Sequence, residues 1–217
     1  MKPALYAHPF SSYCQKVLIA LYENAIDFDY RSLQDSKAGE ELATLWPLKR
    51  FPILVDRGRT ILESSTIIEY IQIHHPGPVR LIPEDGDAAI EVRMMDRLFD
   101  NYVMTSMQKP VSNALRPESD RDPYGVAEAR RTLDSVYVWL EARLAGRTWA
   151  AGEHFTLADC AAAPSLFYAD WVQPIPPALG NLRAYRARLL ARPSFARAVE
   201  EARPYRSYFP LGAPDRD

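Results

Sequence analysis

The chain has 217 residues, 47% hydrophobic and 25% charged, with a formal net charge of -2; these values exclude long disorder and give no basic excess for a general nucleic-acid binder. Only two cysteines occur, Cys14 and Cys160, which excludes a disulfide scaffold and a four-cysteine zinc site. No apolar run approaches ~20 residues and the N-terminus lacks a signal-peptide core, so the expectation is a cytoplasmic protein with no membrane partner and no nucleic-acid partner.

Ala4 to Ala7 is a short strand candidate, followed by a helix pattern from Ser12 to Tyr22 with Val17, Leu18, Leu21 and Tyr22 on one face. Asp27 to Ser32 alternates as a strand does, and Glu40 to Trp46 reads as a short helix. Ile53-Leu54-Val55 and Thr60-Ile61-Leu62 flank a turn at Asp56-Arg57-Gly58-Arg59 and form a hairpin. Ser64 to His74 is a helix with Ile67, Ile68 and Ile71 inward. This order predicts a four-stranded mixed sheet with helices packed on it. His75-Pro76-Gly77-Pro78 ends the last helix and marks a boundary. The expected organisation is an α/β domain over residues 1–78, a linker over 79–87 and an all-helical domain over 88–217.

Ala88 to Lys109 carries Val92, Met95, Leu98, Phe99, Tyr102 and Val103 at helical period and predicts one continuous helix. Asp122-Pro123 is an N-cap with proline at the first helical position, and Gly146 is the stop for the helix that follows. Thr156-Leu157-Ala158-Asp159 is a capping-box variant that opens a helix toward Trp171. Two more helices, over residues 178–191 and 194–203, close the domain, and the tail from Pro204 is expected to be irregular.

Three stretches carry candidate chemistry. Ser11-Ser12-Tyr13-Cys14 lies between the first strand and the first helix, with Lys16 two residues on. A helix N-terminus offers free N–H groups and partial positive charge, which stabilise a thiolate. A glutaredoxin reads Cys-Pro-Tyr-Cys here; with Ser11 at the first position the chain has a hydroxyl that can donate to an external sulfur. The alternative for Ser11 and Ser12 is simple helix capping. Arg50-Phe51-Pro52-Ile53 places a proline, a candidate for the cis isomer, at a strand start, where the Phe51 backbone can pair with an extended ligand. Glu63-Ser64 sits where a strand hands over to a helix, suited to the ammonium and carboxylate of an amino-acid head group. The four histidines have no metal-ligand spacing, so no metal is expected.

In this order, and inside this architecture, these residues make the chain resemble the glutathione transferase superfamily over essentially its whole length. The resemblance implies a thioredoxin-like N-terminal domain joined to an all-α C-terminal domain. It implies that Ser11 stands where serine-type members (tau, theta and zeta classes) keep their catalytic serine. Phe51 and Pro52 match the residue before the cis-proline and the cis-proline itself, and Glu63 and Ser64 match the pair that holds the γ-glutamyl end of glutathione. Lys37 and Arg50, with Lys49, are the implied partners of the glycine carboxylate. Phe10, Tyr102, Met107 and Trp171 are candidates for lining the second-substrate pocket between the domains. The implied function is a glutathione S-transferase, with glutathione as co-substrate, a hydrophobic electrophile as second substrate, a homodimeric state and a role in detoxification. A glutathione-dependent isomerase or peroxidase, or a non-catalytic binding protein on the same scaffold, are the alternatives. Leu45-Trp46-Pro47-Leu48 departs from the family's usual Asn-Pro, and Cys14 keeps the second glutaredoxin-like cysteine position.

Overall fold

The computed structural model describes residues 2–217. The N-terminal half alternates β1 (Ala4–Ala7), α1 (Ser12–Glu23), β2 (Asp29–Ser32), α2 (Ser36–Leu45), β3 (Ile53–Asp56), β4 (Arg59–Ile61) and α3 (Ser64–His74). The four strands form one sheet in the order β2-β1-β3-β4. β1 pairs β2 in parallel, with Leu5 opposite Tyr30, and pairs β3 antiparallel, with Leu5 opposite Leu54. The crossover between β1 and β2 is α1, as a parallel pair requires. The mixed sheet is therefore the one the element order predicts. The short helix, however, begins at Ser36 rather than Glu40, because Asp35 caps it by accepting a hydrogen bond from the Lys37 N–H.

The C-terminal half is helical: α4 (Gly86–Leu98), α5 (Thr105–Ala114), α6 (Pro123–Arg143), α7 (Leu157–Val172), α8 (Gly180–Leu190) and α9 (Pro193–Ala202), followed by a 3₁₀ segment over Arg203–Tyr208. None of the described helices is long and apolar enough to cross a membrane. Asp122 caps α6 through the Gly125 N–H at 2.8 Å, with Pro123 in the first turn. The Thr156–Asp159 capping box opens α7. Asp159 is fully buried, and its second oxygen accepts from the Ala150 N–H and from the Tyr185 hydroxyl at 2.6 Å. One box thus ties α7 to α8 and to the loop before it.

The predicted continuous helix over residues 88–109 is interrupted. A π-helical segment, Phe99–Met104, joins α4 to α5. The wider turn shifts the side-chain register by one residue. Tyr102, which the 3.6 period places inward, is 55% exposed, whereas Asp100 turns inward and is buried. The Thr105 hydroxyl donates to the Asp100 carbonyl at 3.0 Å, satisfying a backbone acceptor in that turn.

α1 lies at the centre, packed on α3, α7 and α9. Its residues Val17 to Leu21 are fully buried, and one hydrophobic core runs from the sheet through α1 into the helical domain. The fold therefore fixes the N-terminus of α1, and Ser11 with it, at the seam between the two halves.

Candidate functional site

β1 ends at Ala7, and the chain then turns through His8-Pro9-Phe10 to reach Ser11, the N-cap of α1. That turn is fastened from several sides. The Ser11 N–H donates to the His8 carbonyl at 3.0 Å, and the Phe10 N–H donates to His8 Nδ1 at 3.1 Å. From α1, the Gln15 amide donates to the Pro9 carbonyl, and from α7 the Tyr168 hydroxyl donates to the Phe10 carbonyl at 3.2 Å. Sequence reasoning missed Gln15 and Tyr168; they hold the Ser11 loop from opposite domains through a mutual hydrogen bond of 3.0 Å.

Ser11 has extended N-cap geometry, yet its side chain makes no capping hydrogen bond. The residue is half-buried, and its hydroxyl faces the Cys14 thiol of the first turn rather than a backbone N–H. Ser12, one residue on, is almost fully buried, and its hydroxyl has no partner. Cys14 is fully buried, and burial pushes its thiol up to about 12; the Ser11 hydroxyl and the His8 N–H, 3.5 Å from the sulfur, offset only part of that shift. A thiol that rarely ionises is no nucleophile at neutral pH.

Two cavities meet here. The first, about 530 Å³, lies between the domains. Ser11 and Ser12 stand on its wall with Phe10, Phe51, Met107 and Tyr168, and Val111, Leu115 and Phe209 extend its apolar lining. Among the described residues that line it there is no lysine or arginine. His8 lines it too, and burial holds the imidazole below its usual value, so it is neutral near pH 7. Its ring stacks edge-on against Tyr205, with centroids 4.8 Å apart. The second cavity, about 340 Å³, is the more polar of the two, although Trp46 and Leu62 also line it. Tyr13, Lys49, Arg50, Pro52, Glu63 and Ser64 line it, and Phe51 is the wall that both cavities share.

The Phe51–Pro52 peptide is cis. Glu63 caps α3 with φ at 65°, a left-handed conformation uncommon for a residue with a side chain, and makes no capping bond. Such backbone costs about 1–3 kcal/mol and persists where the surroundings impose it, often at binding sites. Here it presents an exposed carboxylate to the polar groove beside Ser64, the first residue of α3.

The structure thus brings together Ser11, Phe10 and Met107 in the apolar cavity and Arg50, Phe51, Pro52, Glu63 and Ser64 in or beside the polar one. It does not place Lys37, Tyr102 or Trp171 on either wall. Lys37 is exposed on the first turn of α2, and Lys49 joins Arg50 as the groove's other cation. Tyr102 is turned out by the π segment. Trp171 stands behind the wall, its ring centroid 6.4 Å from that of Phe10 and 5.2 Å from that of Phe209. The tail residues Tyr208, Phe209 and Pro210 line the cavity, which the reading of the tail as irregular did not anticipate.

Lys16, which the sequence places in a basic position near the site, faces away from it. Its ammonium is buried, 2.5 Å from Asp96 and 2.7 Å from Asp100, and donates to Ser65 at 2.8 Å. Ser65 donates in turn to Asp96. Burial raises the Asp100 pKa, and the charge of Lys16 opposes that rise. This network fastens α1, α3 and the π segment directly beneath the Glu63–Ser64 corner.

A sequence pattern described as "Glutathione S-transferase, N-terminal domain" matches residues 5–79, and its C-terminal-domain counterpart matches residues 103–193. A stringent starvation protein A homolog of Coxiella burnetii is 26% identical over 204 residues, covering 91% of each chain. The maleylacetoacetate isomerase of Rattus norvegicus is 31% identical over 177 residues, covering 78% of this chain and 79% of that protein. The crystal structure of a glutathione S-transferase from Methylobacterium radiotolerans, in complex with glutathione sulfonate, superimposes with a TM-score of 0.79 at 29% identity, covering 92% of this chain and 95% of that one. The chain belongs to the glutathione S-transferase family.

Proposed function

We propose that this protein is a glutathione transferase acting on uncharged, apolar electrophiles. The observation that carries the proposal is the position of Ser11: an N-cap serine whose hydroxyl does not cap, on the wall of an apolar cavity that adjoins a polar groove at Phe51. The groove suits glutathione by charge. Arg50 and Lys49 offer cations for a carboxylate, and Glu63 offers an anion for an ammonium beside the hydroxyl and N–H groups of α3. Ser11 then donates a hydrogen bond to the sulfur, and the N-terminus of α1 adds its partial positive charge, so that the thiol gives up its proton. The thiolate then attacks an electrophilic carbon seated against Met107, Val111 and Phe209, either displacing a leaving group that departs with the bonding electron pair or adding across an activated C=C whose carbanion takes a proton from solvent. Ser11 is the more exposed of the two serines on this wall and stands at the N-cap itself, which favours it over Ser12 for this role.

The relatives include maleylacetoacetate isomerases, whose named substrate is a carboxylate. The apolar cavity argues for a different substrate here. A desolvated carboxylate needs a counter-charge, and the described lining offers a neutral histidine, two amides and the hydroxyls of serine and tyrosine, but no lysine or arginine. Organic hydroperoxides remain within its chemistry, because glutathione supplies the sulfur. We also propose a cytoplasmic location and a homodimer, the latter supported by exposed Ile90 and Met94, four residues apart on one face of α4.

The test is calorimetric titration with glutathione, paired with conjugation assays on neutral and carboxylated electrophiles, in wild type and Ser11→Ala. The proposal expects both proteins to bind glutathione and only wild type to turn over neutral electrophiles well. Failure of the wild type to bind would instead favour a non-catalytic binding protein.

A further inference from the structure

A third cavity, about 390 Å³, lies in the helical domain between the end of α7, α8 and the segment at Arg216 and Asp217. It shares no lining residue with the two cavities of the candidate active site. Its feature is Arg186. The guanidinium is 13% exposed and sits over the Phe167 ring, 5.8 Å from the centroid. Its Nε and Nη2 hydrogens have no acceptor. The nearest carboxylate, Asp170, is 3.4 Å from Nη2 without the alignment of a hydrogen bond, and Arg216 already holds that carboxylate together with the Asp170 carbonyl at 3.0 Å. Nη1 reaches only the main-chain oxygen of Asp217, at 3.4 Å.

Charge accounting points the same way. Arg183, Arg186 and Arg216 line the cavity against Asp170 and Asp217. Of the two carboxylates, Asp217 is engaged by Arg203 and Arg206 instead. Asp170 and the main-chain carboxyl of Asp217, the last residue of the sequence, are left to serve three guanidiniums; Arg183 and Arg216 are exposed residues, so the buried shortfall is at Arg186 Nε and Nη2. An under-compensated buried cation is costly, and a guanidinium with two unused parallel donors matches the edge of an oxyanion. Arg183, on the exposed side of the cavity, donates a long bond, 3.4 Å, to the Ile175 carbonyl. A planar carboxylate fills one fork, whereas a tetrahedral oxyanion presents acceptors to several at once.

We propose that the Arg183–Arg186–Arg216 cavity is a binding site for a small phosphate-class oxyanion, separate from the glutathione groove. Burial lowers the Arg186 pKa, with Arg216 and Arg183 adding to that effect against Asp170, and a bound anion would relieve it.

The experiment titrates glutathione-free protein with inorganic phosphate and, separately, with glycerol phosphate, at ionic strength held constant with sodium chloride. Heat and phosphorus NMR line width are the readouts. Saturable binding is expected in wild type. Tighter binding of glycerol phosphate identifies a phosphomonoester as the ligand, and equal binding identifies free phosphate. Arg186→Gln should weaken binding about tenfold or more, the loss of a charge-assisted pair. If that variant does not fold, Arg183→Gln and Arg216→Gln, both at exposed positions, decide the matter with the same expected direction. No saturable binding to wild type in the millimolar range, or undiminished binding in the arginine variants, overturns the proposal. Either result leaves the glutathione site untouched, since no residue is shared.

Discussion

Lys16 Nζ lies 2.7 Å from Asp100 Oδ2 in the buried seam between the domains, although 84 positions separate the two residues in the chain. The ammonium also serves Asp96, so one cation compensates two buried carboxylates, with half-exposed Arg97 closing the cluster from outside. Lys16→Met removes the central charge and leaves both acids behind. Breaking a buried pair in this way costs about 3–5 kcal/mol. The midpoint of urea unfolding should therefore fall sharply, whereas Arg97→Met should cost much less because solvent screens its charge. Equal effects of the two variants would contradict this ranking.

The two cysteines should be silent in the native protein. Both are fully buried; burial pushes Cys14 up to about 12 and raises Cys160 well above the ordinary thiol value. Titration with a thiol-reactive chromophore at pH 8 should find no accessible thiol before denaturation and two after it. Rapid native labelling of Cys14 would reopen a redox role for the glutaredoxin-like position.

His8 supplies a pH prediction. Burial holds its imidazole below the usual value of 6.5. Around pH 6.5 and just below, the unfolded chain takes up the proton while the folded chain still refuses it. The contribution of His8 to stability is therefore full above about 6.5 and is lost as pH falls through the lower folded value. An NMR titration of the His8 ring should give a midpoint under 6.5. A midpoint above 6.5 would mean that the cavity holds a cation and would remove the argument against carboxylate substrates.

Arg50 and Glu63 are exposed, so their ion pairs with a bound ligand are worth no more than about 1 kcal/mol each, about a fivefold change in affinity. Arg50→Gln and Glu63→Gln should each raise the glutathione Kd by that factor and leave kcat at saturating glutathione unchanged. A loss of kcat with unchanged Kd would place them in the chemical step instead.

How far the sequence reveals this arrangement depends on how local each feature is. The β1–α1 unit, the β3–β4 hairpin, α3 and the Thr156 capping box are set by residues within a turn or two of one another, and each was legible. Ser11, Phe51, Pro52, Glu63 and Ser64 stand out because each sits at an element junction, but no local signal joins one junction to another, and it is the resemblance to the glutathione transferase superfamily that gathers them, with Arg50, into one candidate site. The first turn of α2 was not legible, since Ser36-Lys37-Ala38-Gly39 has no apolar period to announce it. The π segment leaves no mark in a hydrophobic pattern, and it alone decides that Asp100 turns in while Tyr102 turns out. The partners of Lys16, the Gln15–Tyr168 clasp and the tail residues that wall the apolar cavity are all long-range, and one sequence carries no signal for such pairings.

The most direct test of the account is the ultraviolet absorbance of the glutathione thiolate in the bound complex, followed against pH in wild type and in Ser11→Ala. A free thiol has a pKa of ~8.5. The account predicts a bound value well below that in wild type and a rise of about 1–2 units in Ser11→Ala, the loss of one hydrogen bond to a charged acceptor, with glutathione still bound. The same depressed value in both proteins would contradict it, and would assign thiolate stabilisation to the helix N-terminus alone.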